Sequence, residues 1–188
     1  MQLQAKLGMA LFLVSESVFF LMLIMAFVIF RNQSIQIAAH ALNLPVTSFY
    51  SVCLLASAFT LWLATRTARR TGDGSPRLWL AATILLGSVF LLGQGSQYLH
   101  LLQAGVTVNE GLFGTTFFTL TSIHGFHVLI GIGMLAAMLG IMGVRGPTLV
   151  RPALAIDSVA LFWHFVVGVW IVIFLVVYIS TFLTGALR

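Results

Sequence analysis

Apolar and polar positions alternate along this chain on a long scale: five extended apolar runs, separated by short polar or glycine- and proline-bearing connections. The runs predict helices over about 7–30, 45–65, 78–99, 115–143 and 156–183. Each matches or exceeds the roughly 20 residues that a helix needs to cross a hydrocarbon core of about 30 Å. Arg31 closes the first run, and a polar connection leads to Pro45, which suits the first turn of a helix, where no N–H is needed. A basic, turn-rich loop holding Arg66, Arg69, Arg70, Gly72, Gly74, Pro76 and Arg77 precedes the third run. Gly111 and Gly114 open the fourth, and Arg145, Pro147, Arg151 and Pro152 break the chain before the fifth. The fourth and fifth runs are longer than a bilayer requires, which permits tilt. The pattern predicts an all-α membrane protein, a bundle of five transmembrane helices, with residues 1–188 forming one transmembrane domain.

The polar residues inside these runs carry the next layer of information. In the fourth run, His124 and His127 stand at i, i+3, and Thr121 and Gly131 fall on the same helical face. Histidine at membrane depth points into protein or a wet cavity, so this helix is expected to have close neighbours. Glu16 lies about nine residues into the first run, roughly 14 Å along a helix axis. A carboxyl group there is protonated, partnered or turned toward polar neighbours. It reads either as a proton-linked or lipid-headgroup contact, or as a structural acid bonded between helices. Asp157 begins the fifth run, where it complements the helix dipole, with Leu161, His164 and Gly168 on its face. His164 has a depth similar to that of Glu16, and a Glu16–His164 pair would satisfy both groups. The third run carries Thr83, Gly87, Gln94 and Gln97 at helical spacing, a pattern of close packing with interhelical hydrogen bonds.

Composition and charge sharpen the class. Hydrophobic residues make up 60% of the chain and charged ones 7%, with mean hydropathy +1.09. That excludes an ordinary soluble domain, and a transmembrane barrel would show short alternating segments instead. The net charge of +5 sits in loops beside the runs, so it marks topology, and no nucleic-acid partner is expected. With the N-terminus inside, Lys6, Arg66, Arg69, Arg70, Arg77, Arg145 and Arg151 share one side, seven of the nine Lys and Arg, and only Arg31 and Arg188 the other. The positive-inside rule then places the N-terminus in the cytoplasm and the C-terminus in the periplasm. The single cysteine, Cys53, excludes an intrachain disulfide and reads as a small buried hydrophobe. The first run is too long for a cleavable signal peptide, and it carries Glu16. The loops are too short to build a core outside the membrane.

Three intramembrane histidines raise the question of a metal, since imidazoles on different helices can hold haem, copper or iron. His124 and His127 sit nearer the outer half and His164 nearer the inner half, so their depths match poorly. No metal site is expected in this chain.

Three blocks then resemble one known family, subunit III of the haem–copper terminal oxidases, which include the cytochrome c and quinol oxidases. LFLVSESVFFLMLIMAFVIFR resembles the family's helix with a Ser-Glu pair before aromatic and apolar residues. NEGLFGTTFFTLTSIHGFHVLIG resembles its aspartate-glycine loop, G-x-x-G-S/T-T-F-F run and H-G-x-H-V helix, and DSVALFWHFVVGVWIVIFLVVYIS its closing W-H-F-V-D-V-V-W helix. The resemblance implies a short five-helix form without the two additional N-terminal helices of longer members. It places Glu16 on the family's membrane-embedded, carbodiimide-reactive glutamate, and His124, His127 and His164 on its motif histidines. Asp157 falls where a glutamate is common, and Gly111, Gly114, Trp163 and Trp170 also match. Val167 replaces an expected aspartate, His100 follows Gln97 where Q-x-x-E is usual, and Gln103 replaces a further glutamate.

The resemblance implies an accessory subunit, with no catalytic site of its own, in a complex that reduces O₂ to water and translocates protons. It implies haem and copper in the partner catalytic subunits and none in this chain. It also implies bound phospholipid, contact with catalytic subunit I and other oxidase subunits, and the inner (plasma) membrane of a bacterium. Glu16, His124, His127, His164 and Asp157 are the candidates for proton- or lipid-linked roles. Gly111, Gly114, Gln94, Gln97, Gly131, Trp163 and Trp170 are the candidates for helix packing. Two alternatives stand beside this reading: a subunit-III-like partner of a nitric oxide reductase, and a free-standing membrane haem protein or transporter.

Overall fold

In hydrocarbon no water meets an exposed N–H or C=O, so each apolar run has to close its backbone hydrogen bonds on itself, as a helix does. The computed structural model describes residues 2–30, 44–69, 76–103, 112–145 and 152–179, and all of them are helical. The helices are α1 (Gln2–Phe30), α2 (Leu44–Arg69), α3 (Pro76–Gln103), α4 (Leu112–Arg145) and α5 (Pro152–Ile173), which continues as a π-helical turn over Phe174–Ile179. Five segments, Leu7–Phe30, Leu44–Arg69, Pro76–Gln103, Gly114–Met142 and Ile156–Ile179, are long and apolar enough to span a bilayer. The chain is a multi-pass membrane protein. Pro45 occupies the first turn of α2, as expected. Gly111 and residues 180–183, the end of the fifth run, lie outside the described residues.

α4 and α5 form the central pair, the α2–α3 hairpin packs on one side, and α1 lies across the other. Consecutive helices run antiparallel: Thr60 faces Thr83 and Gln97 faces Thr47 across α2–α3, while Gln94 faces Thr121 and Arg77 reaches the carbonyl of Met142 across α3–α4. One end of the bundle, the Arg69 end, therefore carries Arg66, Arg69 and Arg77, and the opposite, Phe30 end carries Leu44, Gln103 and Leu112. α1 is the least buried of the five.

The centre is an aromatic and small-residue junction. The Trp163 indole from α5 lies between two glycines: a Cβ on Gly87 of α3 would come within 2.7 Å of it, and one on Gly131 of α4 within 2.6 Å. Its Nε1 donates to Ser57 Oγ of α2 at 3.1 Å, so one side chain ties four helices together. Trp170 repeats the device two turns along, donating to Ser51 Oγ at 3.0 Å. Each serine returns its own proton to its helix, to the carbonyls of Leu54 and Thr47. Tyr50 lies against Gly93 in the same way. Gly114 is buried at the start of α4. Cys53 is a free thiol and is only partly buried, less enclosed than expected, because it flanks the face of α2 that packs inward.

Candidate functional site

The site is built where α1 crosses α4. Glu16 Oε2 lies 3.1 Å from His127 Nε2, with side-chain exposures of 20% and 13%. His127 Nδ1 lies 2.8 Å from the carbonyl oxygen of Ile123, one turn back on its own helix. A carbonyl only accepts, so Nδ1 carries a proton and donates it. A neutral ring then presents a lone pair at Nε2, and an ionised Glu16 presents a second acceptor. A contact at 3.1 Å therefore holds one proton between the two atoms. It sits either on the carboxyl, as a neutral acid and imidazole, or on the ring, as carboxylate and imidazolium. The pair has zero net charge both ways, which is what lets a carboxyl group stand in the hydrocarbon layer.

The expected Glu16–His164 pair is corrected here. Depth suggested it, but His127 takes the carboxyl, while His164 donates Nδ1 to the Ala160 carbonyl at 2.6 Å on an exposed face of α5. His127 reaches the level of Glu16 because α4 is long and its residues run down the bundle as those of α1 run up. Asp157 also stands elsewhere than expected. α5 begins at Pro152, so Asp157 lies beyond the first turn, and it forms an ion pair with Arg69 Nη2 of α2 at 2.8 Å. That contact closes the Arg69 end between two helices and replaces the dipole reading.

His124, one turn from His127, belongs to a different environment. It is fully buried, lies nearly flat on Trp170 with ring centres 5.0 Å apart, and meets Phe90 edge-on at 6.0 Å. The Phe20 ring of α1 packs edge-on against both imidazoles, with its centre 6.4 Å from that of His124 and 5.0 Å from that of His127. The three histidines thus do not converge, and among the described residues no three His, Cys, Asp or Glu side chains gather at metal-binding range.

At the Phe30 end, polar side chains bind the helices to one another. Gln94 Nε2 donates to the Thr121 carbonyl at 2.7 Å, and the Tyr98 hydroxyl donates to Thr121 Oγ1 at 2.7 Å. Gln97 Nε2 donates to Thr47 Oγ1 at 2.9 Å, while its Oε1 accepts from the Tyr178 hydroxyl at 2.9 Å. Tyr178 belongs to the π-helical turn. The sequence reading had Gln94 and Gln97 but missed their partners Tyr98, Tyr178 and Thr47, and the indole acceptors Ser51 and Ser57. A signal for the α2 partners was there: Thr47, Ser51, Ser57 and Ala64 recur at helical spacing along one face of an apolar run, and all four are buried.

Two grooves flank α5 on the outside. One, near the Arg69 end, lies between α2 and α5 with Met9 of α1 at its edge; it holds Arg69, Asp157 and His164 and measures about 360 Å³. The other is apolar, about 340 Å³ between Phe20, Leu21 and Ile24 of α1 and Phe165, Gly168 and Val172 of α5.

Comparison with known proteins bears on this architecture. A family model described as cytochrome c oxidase subunit III matches residues 1–182. The cytochrome c oxidase subunit 3 of Corynebacterium diphtheriae is 33% identical over 179 residues, covering 92% of this chain and 86% of the relative. That of a Synechocystis species is 33% identical over 175 residues, covering 92% and 74%. A cytochrome bo(3) ubiquinol oxidase subunit 3 from Pseudomonas aeruginosa is 33% identical over 137 residues, covering 73% and 65%. Matched along nearly its whole length, and folded as five membrane-spanning helices, this chain belongs to the cytochrome c oxidase subunit III family.

Proposed function

We infer that this chain serves as the accessory, non-catalytic subunit III of a bacterial respiratory terminal oxidase, packed on the catalytic subunit in the inner membrane. The observation that carries the reading is the family match over residues 1–182. The relatives named above belong to cytochrome c and ubiquinol oxidases, so the reading is of terminal oxidases as a class. A nitric oxide reductase partner and a free-standing haem protein or transporter find no support among them. O₂ reduction belongs to the partner subunits, where haem and copper reside.

This chain's own residues have two tasks in that reading. The Glu16–His127 contact holds a proton inside the membrane at a stated place, between Oε2 and Nε2, and keeps α1 on α4. The two grooves beside α5, one holding the Arg69–Asp157 ion pair and His164 and the other apolar, suit an amphiphile such as a phospholipid, its headgroup near Arg69 and His164 and its chains in the trough between α1 and α5. The bias of Lys and Arg puts the Arg69 end on the cytoplasmic side, where proton uptake by the complex would be supported.

A mild-detergent pull-down of the tagged chain, followed by a reduced-minus-oxidised spectrum, tests the reading. Haem bands that co-purify, and that vanish when the chain is stripped from its partners, are expected. A chain that elutes alone and colourless, or one that retains about one iron or copper after isolation, would overturn it.

A further inference from the structure

The arginines at the Arg69 end differ in what neutralises them. Arg69 pairs with Asp157, and Arg77 donates to the Met142 carbonyl. Arg66, in the last turn of α2, makes no ion pair or hydrogen bond among the described residues; its guanidinium lies over the Trp62 ring, 5.3 Å from the ring centre. The chain has four Asp and Glu against nine Lys and Arg. The two carboxyl groups among the described residues are both taken, Asp157 by Arg69 and Glu16 by His127. The C-terminal end of a helix favours a cation, but its dipole fills none of the five N–H donors of a guanidinium.

The surface beside Arg66 is apolar and faces outward. Trp62 and Phe59 lie one and two turns from Arg66 toward the middle of α2, stacked with ring centres 5.7 Å apart, and both are exposed. Leu55 and Val52, also exposed, continue the same face. Tryptophan gathers where hydrocarbon meets headgroups, which puts the guanidinium at headgroup level and the rings against acyl chains. A planar guanidinium can hold two phosphate oxygens through parallel N–H bonds. A zwitterionic headgroup brings its own ammonium to that phosphate, whereas an anionic one supplies the net charge that Arg66 lacks.

We propose that Arg66, Trp62 and Phe59 form a site for an anionic phospholipid on the outer face of α2. The guanidinium donates to the phosphate, and the two stacked rings support the upper part of an acyl chain. The site is separate from the grooves beside α5, neither of which includes Phe59, Trp62 or Arg66. It does not depend on the accessory-subunit reading.

Tryptophan fluorescence of the full chain tests it, in phosphatidylcholine vesicles that hold a minor share of one lipid brominated on its acyl chain. Bromine quenches at near contact, and Trp163 and Trp170 are buried, so Trp79→Phe leaves Trp62 as the reporter. Should Trp79→Phe fail to fold, the signal lost from the native chain on Trp62→Phe gives the same reading. Brominated phosphatidylglycerol is expected to quench Trp62 severalfold more than brominated phosphatidylcholine at the same share. Arg66→Gln, at an exposed position, is expected to abolish that excess, while Lys6→Gln, which removes a charge elsewhere on the chain, leaves it in place. Equal quenching by the two lipids overturns the proposal. So does an excess that Arg66→Gln leaves in place, or one that Lys6→Gln lowers as much.

Discussion

At Glu16 the chemistry turns on one proton. The Ile123 carbonyl fixes the His127 tautomer, so the proton in the Oε2–Nε2 contact cannot be supplied by Nδ1. Glu16→Gln replaces an acid O–H by an amide N–H and keeps a donor facing Nε2. It is expected to leave the stability of the full chain within about 0.5 kcal/mol, whereas Glu16→Ala or His127→Leu, which strand a buried partner, should cost about 1–3 kcal/mol. Unfolding of the full chain in mixed micelles separates these. A Glu16→Gln variant as unstable as Glu16→Ala would mean that the ionised form, not a shared hydrogen bond, holds the contact. The same variant in the complex asks the functional question: unchanged turnover, durability and lipid content would remove any special role for the Glu16 proton. Arg69 and Asp157 form a different kind of pair, with side-chain exposures of 63% and 25%. Exposed pairs contribute about 0–1 kcal/mol and are screened by salt. Arg69→Met should therefore shift stability by less than about 1 kcal/mol, and the shift should shrink in high salt.

At the scale of the helices, contact depends on small residues, because lipid tails supply little hydrophobic drive for one apolar helix to leave them for another. Gly131→Leu would push the Trp163 ring out of its slot and loosen four helices at once, at a cost of about 1–3 kcal/mol or more from overpacking. Gly133→Leu, two residues away with nothing within 4 Å, should be neutral or slightly stabilising. Equal effects of the two in the same unfolding assay would contradict the junction described here. These elements also show what a sequence of this kind reveals. Span positions and the small and amide stripe of α3 are local properties, set by hydropathy and a 3.6-residue period, and they were legible. Which histidine meets Glu16 was not, because depth along one helix says nothing of how a neighbour is rotated or how far it runs. The depth argument therefore favoured His164, which turns outward, over His127. Asp157 was misread for a related reason: Pro152 starts α5 earlier than the hydrophobic run does. The serines that receive the two indoles lay in α2, where no motif drew attention to the recurring small residues.

At the scale of the whole molecule, the described residues form a membrane bundle in which polar side chains bond neighbouring helices to one another, with two grooves beside α5 on the outside. The basic residues at the Arg69 end predict a cytoplasmic position for it: single cysteines introduced near Arg69, on a Cys53→Ser background, should be shielded from an impermeant thiol reagent added outside intact cells, while cysteines beside Leu44 should react. The opposite pattern would invert the topology and move the proposed lipid headgroup to the other leaflet. That the chain supports a redox complex without carrying its chemistry has a more direct test. The purified complex is stripped of this chain, and haem content, initial O₂ consumption and loss of activity during turnover are compared with the intact complex. Full haem content and a largely preserved initial rate, followed by faster inactivation, is the expected result. Haem or copper leaving with this chain, or an initial rate abolished while every other subunit remains, would contradict it.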